Sequence, residues 1–294
     1  MATDARPRRS VLYMPGSNPR ALEKAKTLAA DGLIFDLEDA VAPDAKDEAR
    51  KLVCDAAASG AYGRREIIIR VNGLDTPWFH ADLAAAAGAG ADAVLLPKVE
   101  SADAVRIAER ILVANGAPET LAVWCMMETP FGILHAEEIA GSTPRMGALV
   151  MGTSDLAKDT HARHTPERLP MMASLNLCVL AARAQGLAIL DGVYLDLNDE
   201  AGFAAACAQG VELGFDGKTL IHPKTIAAAN SAFAPDADEI AWARKIIAAH
   251  EEAAAQGKGV VVVDGKLVEI LHVIEARRNV ALADAIAELE AALA

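Results

Sequence analysis

The amino-acid sequence predicts an α/β fold: a (β/α)8 TIM barrel with a C-terminal helix–hairpin–helix extension. Three features carry that expectation. Short, nearly continuous apolar runs recur eight times, as strands buried on both faces do. Between them lie stretches with an apolar helical face or an N-cap candidate. Polar residues close nearly every run; a barrel gathers such residues at one mouth, whereas a doubly wound open sheet, the competing architecture, spreads them along an edge.

In chain order, Val11–Pro15 is the first strand, and a tight turn leads into the helix Asn18–Ala30. Leu33–Leu37 precedes the helix Asp44–Ser59; Glu66–Val71, with Ile67-Ile68-Ile69, precedes Trp78–Gly88. Ala93–Pro97 is followed by Ser101–Asn115, and Leu121–Met127 by Gly132–Ile139. After Ala148–Gly152 the segment Lys158–Pro170 reads as a polar loop before the helix Met171–Gln185. Ala188–Val193, the helix Asp199–Leu213 and Lys218–Ile221 complete the units. Beyond them come a long helix Ala237–Gln256, a Gly-Lys-Gly break, strands Val260–Val263 and Lys266–Ile270 around Asp264-Gly265, and a last helix. The boundaries are therefore 1–232 for the barrel and 233–294 for the extension. Some 60 residues are marginal alone, so the extension is expected to pack on the barrel or on a neighbouring subunit.

Composition narrows the function. With 53% hydrophobic and 23% charged residues the chain is globular rather than disordered. Lys and Arg total 28 against 41 Asp and Glu, a net charge of −13, which argues against nucleic acid as a partner and leaves anionic ligands to a local basic patch. No apolar run approaches the roughly 18 to 20 residues of a membrane span, and the N-terminus, with Arg6, Arg8 and Arg9, lacks a signal-peptide stretch. The expectation is a soluble cytoplasmic protein with no membrane partner. The four cysteines, Cys54, Cys125, Cys178 and Cys207, form no C-x-x-C pair, so neither a disulfide framework nor a structural zinc site is suggested.

The strand ends carry a ring of polar residues: Asp36, Glu38 and Asp39, then Arg70 and Asn72, Lys98, Glu128, Asp155, Asp191 and His222. Several carboxylates in one cleft repel each other unless protonated, paired or bound to a cation. All-oxygen donors suit Mg2+, or Mn2+ in its place. Glu128 and Asp155, from neighbouring units, are the expected direct ligands, and Glu38 and Asp39 the outer acids holding metal-bound waters. The plain alternative is solvated loop acids paired with lysine. Arg70 ends an apolar strand and must be paired, either with a substrate carboxylate or with Asp36 or Glu38. The turn Met14-Pro15-Gly16-Ser17-Asn18-Pro19-Arg20 outlines an anion site, from free N–H groups at the helix start and from Arg20, Lys24 and Lys26. It is neither G-x-G-x-x-G nor a P-loop. His161 and His164 stand three apart, as metal ligands on a helix or as residues lining the substrate mouth. No G-x-S-x-G elbow supports serine chemistry.

The stretches Arg9-Ser10-Val11-Leu12-Tyr13-Met14-Pro15-Gly16-Ser17, Asp36-Leu37-Glu38-Asp39-Ala40-Val41-Ala42-Pro43, Ile69-Arg70-Val71-Asn72-Gly73, Leu96-Pro97-Lys98-Val99, Glu128-Thr129-Pro130-Phe131-Gly132 and Gly217-Lys218-Thr219-Leu220-Ile221-His222-Pro223 resemble the citrate lyase β-subunit-like group of CoA-ester lyases, within the HpcH/HpaI aldolase superfamily. The resemblance spans nearly the whole chain. It implies the barrel with a mobile C-terminal segment, Mg2+ at Glu128 and Asp155, and Arg70 on the carboxylate or carbonyl end of the substrate. It further implies coenzyme A, as part of the substrate, along Arg20 and Lys24, and a homo-oligomer, a trimer or hexamer. Gly265-Lys266-Leu267-Val268-Glu269 fits the family pattern in which a C-terminal acid reaches an adjacent subunit's site for acid–base chemistry. Here it is glutamate where malyl-CoA-type lyases often carry aspartate.

The resemblance leads to an expected activity: reversible cleavage of a 3-hydroxy-3-carboxyacyl-CoA, malyl-CoA or β-methylmalyl-CoA, into glyoxylate, a 2-oxo acid, and an acyl-CoA. Glu269 is then the acid that protonates the enolate carbon. Hydrolysis of malyl-CoA, a citrate-lyase-type reaction on a citryl or citramalyl thioester, and a non-catalytic CoA-ester binding role are the alternatives.

Overall fold

The computed structural model describes residues 5–255, 257 and 260–293. Gln256, Lys258 and Gly259, where the sequence places a helix end and a Gly-Lys-Gly break, lie outside them. Eight parallel strands close into a barrel in sequence order: β1 (Ser10–Pro15), β2 (Gly32–Asp36), β3 (Glu66–Arg70), β4 (Ala93–Leu96), β5 (Ala122–Met127), β6 (Met146–Met151), β7 (Ala188–Asp191) and β8 (Gly217–Leu220). β1 pairs with both β2 and β8, which shuts the ring.

The helices are α1 (Pro19–Ala25), α2 (Lys46–Ala58), α3 (Phe79–Ala86), α4 (Ala102–Ala114), α5 (Pro130–Leu134), α6 (Ala136–Ala140), α7 (Thr153–Asp159), α8 (Met172–Ala184), α9 (Glu200–Leu213) and α10 (Ile226–Ala232). α1 ends at Ala25 instead of Ala30, and α10 was not expected; two further stretches differ as well. Gly132–Ile139 is not one helix but α5 and α6, broken at His135, whose ring turns back to the Phe131 carbonyl at 2.9 Å. Thr153–Asp159 is helical although its seven residues, polar or small but for Leu156, carry too little periodicity to announce it.

Strand alternation decides where the chemistry sits. Leu33 and Phe35 face the helices, while Ile34 joins Val11, Ile68, Leu95, Trp124, Val150 and Leu190 in an apolar layer that fills the barrel. Two residues further along the same strands, the same face presents Tyr13, Asp36, Arg70, Met126 and Gly152 to a cavity at the C-terminal mouth. The period of two that buries the core thus delivers the polar residues inward.

By its internal contacts the chain divides into two units, Arg8–Phe233 and the residues from Ala234 onward with those before Arg8. The C-terminal unit has α11 (Ala237–Ala255), an antiparallel pair β9 (Val261–Val263) and β10 (Lys266–Val268), and α12 (Ile270–Ala291) around Ile246, Val263, Val268 and Val273. Asp264 and Gly265 both have positive φ, as a two-residue hairpin turn requires. β10 stops before the expected Ile270 because Glu269 is the N-cap of α12. Its carboxylate accepts from the backbone of His272, and His272 Nδ1 accepts the Glu269 N–H at 3.0 Å. Among the described residues no helix is long and apolar enough to cross a membrane.

Candidate active site

The mouth of the barrel holds a cavity of about 420 Å3 whose charged lining is Asp36, Asp39, Arg70, Glu128 and Asp155. Arg70, the last residue of β3, is buried and fixed. Its Nε and Nη2 donate to the two carboxylate oxygens of Asp36 at 2.6 and 2.7 Å, and Nη1 lies 2.8 Å from Glu38 Oε2. The guanidinium also stacks over Tyr13, 4.9 Å from the ring centroid. Both pairings offered by the sequence are therefore made inside the chain, and Arg70 lines the cavity. Burial alone would lower the Arg70 pKa, but the Asp36 contact overcomes it and holds the guanidinium firmly charged.

Glu128 follows β5, where Thr129 caps α5 by accepting the Gly132 N–H at 3.0 Å and Pro130 fills the first helical position. The strand must end there, and the carboxylate is left at the mouth, 2% exposed. Its Oε1 accepts the Lys98 backbone N–H at 2.8 Å. Burial, then the negative charge of Glu38, pushes the Glu128 carboxyl up to about 7. Space for it comes from Gly152, where a Cβ would overlap the Glu128 side chain. Asp155 sits in the first turn of α7, its side chain 29% exposed, with Lys158 Nζ at 3.4 Å.

Glu38 lies behind the lining. Burial raises its pKa against the pull of Arg70, and its Oε1 takes the Lys98 ammonium. Asp39 lines the cavity with 63% of its side chain exposed and Oδ2 3.9 Å from Arg70 Nη1. Lys46, which the sequence gave no reason to single out, is buried and donates to the carbonyls of Leu37 and Glu38 at 2.7 Å each, so it shapes the turn that presents these two acids.

The polar ring is only partly gathered. Asn72 is tied to Asp82 through its backbone and side-chain amides at 3.0 and 2.6 Å, which spends it on anchoring α3. Asp191 is wholly buried between Lys218 and Arg168. His222 caps a 3-10 turn by accepting the Lys224 N–H. His161 and His164 lie beyond the end of α7, so no helix aligns them as metal ligands; His164 lines a second cavity of about 320 Å3 with Arg163, Arg168 and Lys218.

The anion site at the first turn needs correction in one part. The N–H groups of Arg20 and Ala21, expected free, both donate to Asn18 Oδ1 at 3.1 Å, because asparagine at the N-cap satisfies its own helix. The exposed side chains of Arg20 and Lys24 are what remains for an anion. Gly16 lets this turn lean on β2: its N–H reaches the Asp36 carbonyl at 2.9 Å, and a Cβ there would lie 2.5 Å from that oxygen.

Of the four carboxylates in the cavity lining, Asp36 is taken by Arg70 and Asp39 is the most exposed, which leaves Glu128 and Asp155 for a divalent cation; the lining has no imidazole or thiolate. Among the described residues no group of three or more His, Cys, Asp or Glu side chains forms a metal cage. That donor set fits Mg2+ or Mn2+, which take one or two protein carboxylates and fill the other positions with water and substrate oxygens. Burial and the charge of Glu38, which raise the Glu128 pKa, are what the positive charge of such an ion would offset.

A closed barrel with converging carboxylates at its C-terminal mouth has the build of a barrel enzyme. The chain belongs to the HpcH/HpaI aldolase/citrate lyase family, which matches residues 9–223. It is 54% identical over 291 residues to a (3S)-malyl-CoA thioesterase of Cereibacter sphaeroides, covering 99% of this chain and 100% of that one. It is 36% identical over 299 residues to an L-malyl-CoA/beta-methylmalyl-CoA lyase of the same species, covering 94% of each. Among solved structures, the CitE protein of Mycobacterium tuberculosis in complex with magnesium, acetoacetate and coenzyme A superimposes with a TM-score of 0.75 at 28% identity, covering 96% of this chain and all of that one.

Proposed function

We propose that this protein is a divalent-cation-dependent hydrolase of a malyl-CoA-type thioester, releasing malate and free CoA. The observation that carries the reading is the 54% identity over 99% of the chain to the (3S)-malyl-CoA thioesterase, set against 36% to the lyase. This reverses the order of the initial expectation, in which carbon–carbon cleavage came first and hydrolysis second.

Glu128 and Asp155 hold the cation. A bound Mg2+ would act as a Lewis acid on substrate oxygens and offset charge that develops there. Arg70, locked by Asp36, keeps its guanidinium rigid for the substrate carboxylate. Asp39, more exposed than Glu128 or Asp155, orients the attacking water and takes its proton. The water oxygen bonds to the thioester carbon, the C–S bond breaks, and the sulfur leaves as CoA thiol by taking up the proton that Asp39 removed from the water. Arg20 and Lys24 bind the CoA phosphates. Glu269 serves a second copy of the chain within a homo-oligomer.

The 36% identity to the lyase sustains a second reading, cleavage to glyoxylate and acetyl-CoA at the same site. Purified protein, Mg2+ and malyl-CoA decide between them. Free thiol without glyoxylate supports hydrolysis, glyoxylate with acetyl-CoA establishes the lyase, and neither product rejects both in favour of a binding role.

A further inference from the structure

Lys98 lies just past β4 with φ +50°, in the left-handed region where a residue bearing a Cβ is sterically disfavoured. Such a conformation persists when its surroundings enforce it. Two contacts do so. The Lys98 N–H donates to Glu128 Oε1 at 2.8 Å, and the Lys98 ammonium reaches Glu38 Oε1. Glu38 meets Arg70, which Asp36 holds. One strained residue therefore joins the loop after β2 to the end of β5, strands that are not neighbours in the barrel. Its side chain is 43% exposed while that of Glu38 is 9% exposed, so the ammonium forms a lid over a buried carboxylate.

We propose that Lys98 is the positioning residue of the mouth: its backbone N–H aims the Glu128 carboxylate, and its ammonium holds Glu38, and through it Arg70, in the geometry that receives the substrate. The assignment rests on the cation site read above at Glu128 and Asp155. It has an unusual signature. Removing a positive charge beside a cation site does not weaken cation binding by Coulomb's law, yet it frees Glu38 and so disturbs Arg70. A residue needed only for packing would lose cation binding and turnover together.

The test uses the full-length protein, titration with Mn2+ alone, and thiol release from malyl-CoA at saturating Mn2+. For Lys98→Met we expect Mn2+ affinity equal to wild type or several-fold tighter, with kcat at least tenfold lower. Lys98→Arg, which keeps the charge, is expected to recover at least a third of the wild-type rate. Lys98→Gly keeps the N–H and accepts the left-handed backbone without strain, so it folds even if Lys98→Met does not, and is expected to show the same loss of kcat with unimpaired Mn2+ binding. Wild-type kcat in Lys98→Met or Lys98→Gly overturns the proposal. So does a parallel tenfold loss of Mn2+ affinity, or a Lys98→Arg variant as slow as Lys98→Met. Failure of the wild-type protein to bind Mn2+ sinks the cation reading itself, and is distinguishable because it precedes any comparison of variants.

Discussion

Two charged clusters lie at the C-terminal ends of the barrel strands, and they have opposite fates. Around β2 to β6, the acids Asp36, Glu38, Asp39, Glu128 and Asp155 outnumber the cations Arg70, Lys98 and Lys158 that contact them. At β7 and β8, Asp191 alone answers two cations: Arg168 Nη1 at 2.7 Å and Lys218 Nζ at 2.7 Å. In the sequence both are acids at the end of an apolar strand. The balance of charge separates them. An excess of buried carboxylate makes a place for a cation, and a carboxylate held by two cations is closed to one.

The protonation of the two sites follows the same division. Burial raises Asp191, but Lys218 and Arg168 outweigh it and hold the carboxyl below its ordinary value, so its contribution to stability is present at neutral pH and lost on acidification. Glu128 is raised from 4.5 to about 7, so its contribution has the opposite sign: present in acid and lost as pH rises through about 7.

This contrast can be broken by experiment, starting with the largest effect. Glu128→Ala or Asp155→Ala is expected to abolish Mn2+ binding in calorimetric titration and to cost roughly 1000-fold in cation-dependent kcat, corresponding to several kcal/mol of lost charge stabilisation. Wild-type turnover in either variant removes the cation assignment. Asp191→Asn leaves the buried Lys218 and the half-buried Arg168 without their anion, so urea unfolding should show a loss of about 3–5 kcal/mol. Mn2+ affinity should hold, and a weaker affinity would mean that the clusters are coupled.

Glu128→Gln sharpens the comparison, because neutralising an acid should stabilise one cluster where it destabilises the other. At pH 8 without metal the variant should be more stable than wild type by about 3 kcal/mol, with the gain vanishing below pH 5. Thermal melts of the wild type should accordingly show a larger Mg2+-induced rise at pH 8 than at pH 6, where protons compete for Glu128. Equal rises at both pH values would contradict the raised carboxyl. The smallest effect is expected outside both clusters. Arg20→Ala and Lys24→Ala should each raise KM for the CoA thioester several-fold at unchanged kcat, and less so at high salt, since exposed charges are screened.

Much of this was legible in the sequence. Ile67-Ile68-Ile69-Arg70 announces a strand buried on both faces that ends in a cation, and Glu128-Thr129-Pro130 announces a strand stop and helix start in three residues. α7 was not legible, since Thr153–Asp159 is too short and polar for a periodic signal, although it carries Asp155. Arg168 was missed because it partners Asp191 from an irregular segment, with a left-handed φ of 54°. Asn18 was recognised as part of a turn, but its capping of the Arg20 and Ala21 N–H groups was not.

The sequence by itself determined the eight strand–helix units, their order and the alternation of faces along each strand, because apolar runs and a side-chain period of two are local properties of a strand. Only the tertiary structure decided which of those acids is neutralised and which is left in want of charge. Arg168, Lys98 and Gly152 each act on a carboxylate 23 to 30 residues away in the chain or, for Gly152, by the Cβ it lacks beside Glu128. Pairing, burial and steric room belong to the assembled mouth, where desolvation makes each unpaired charge costly.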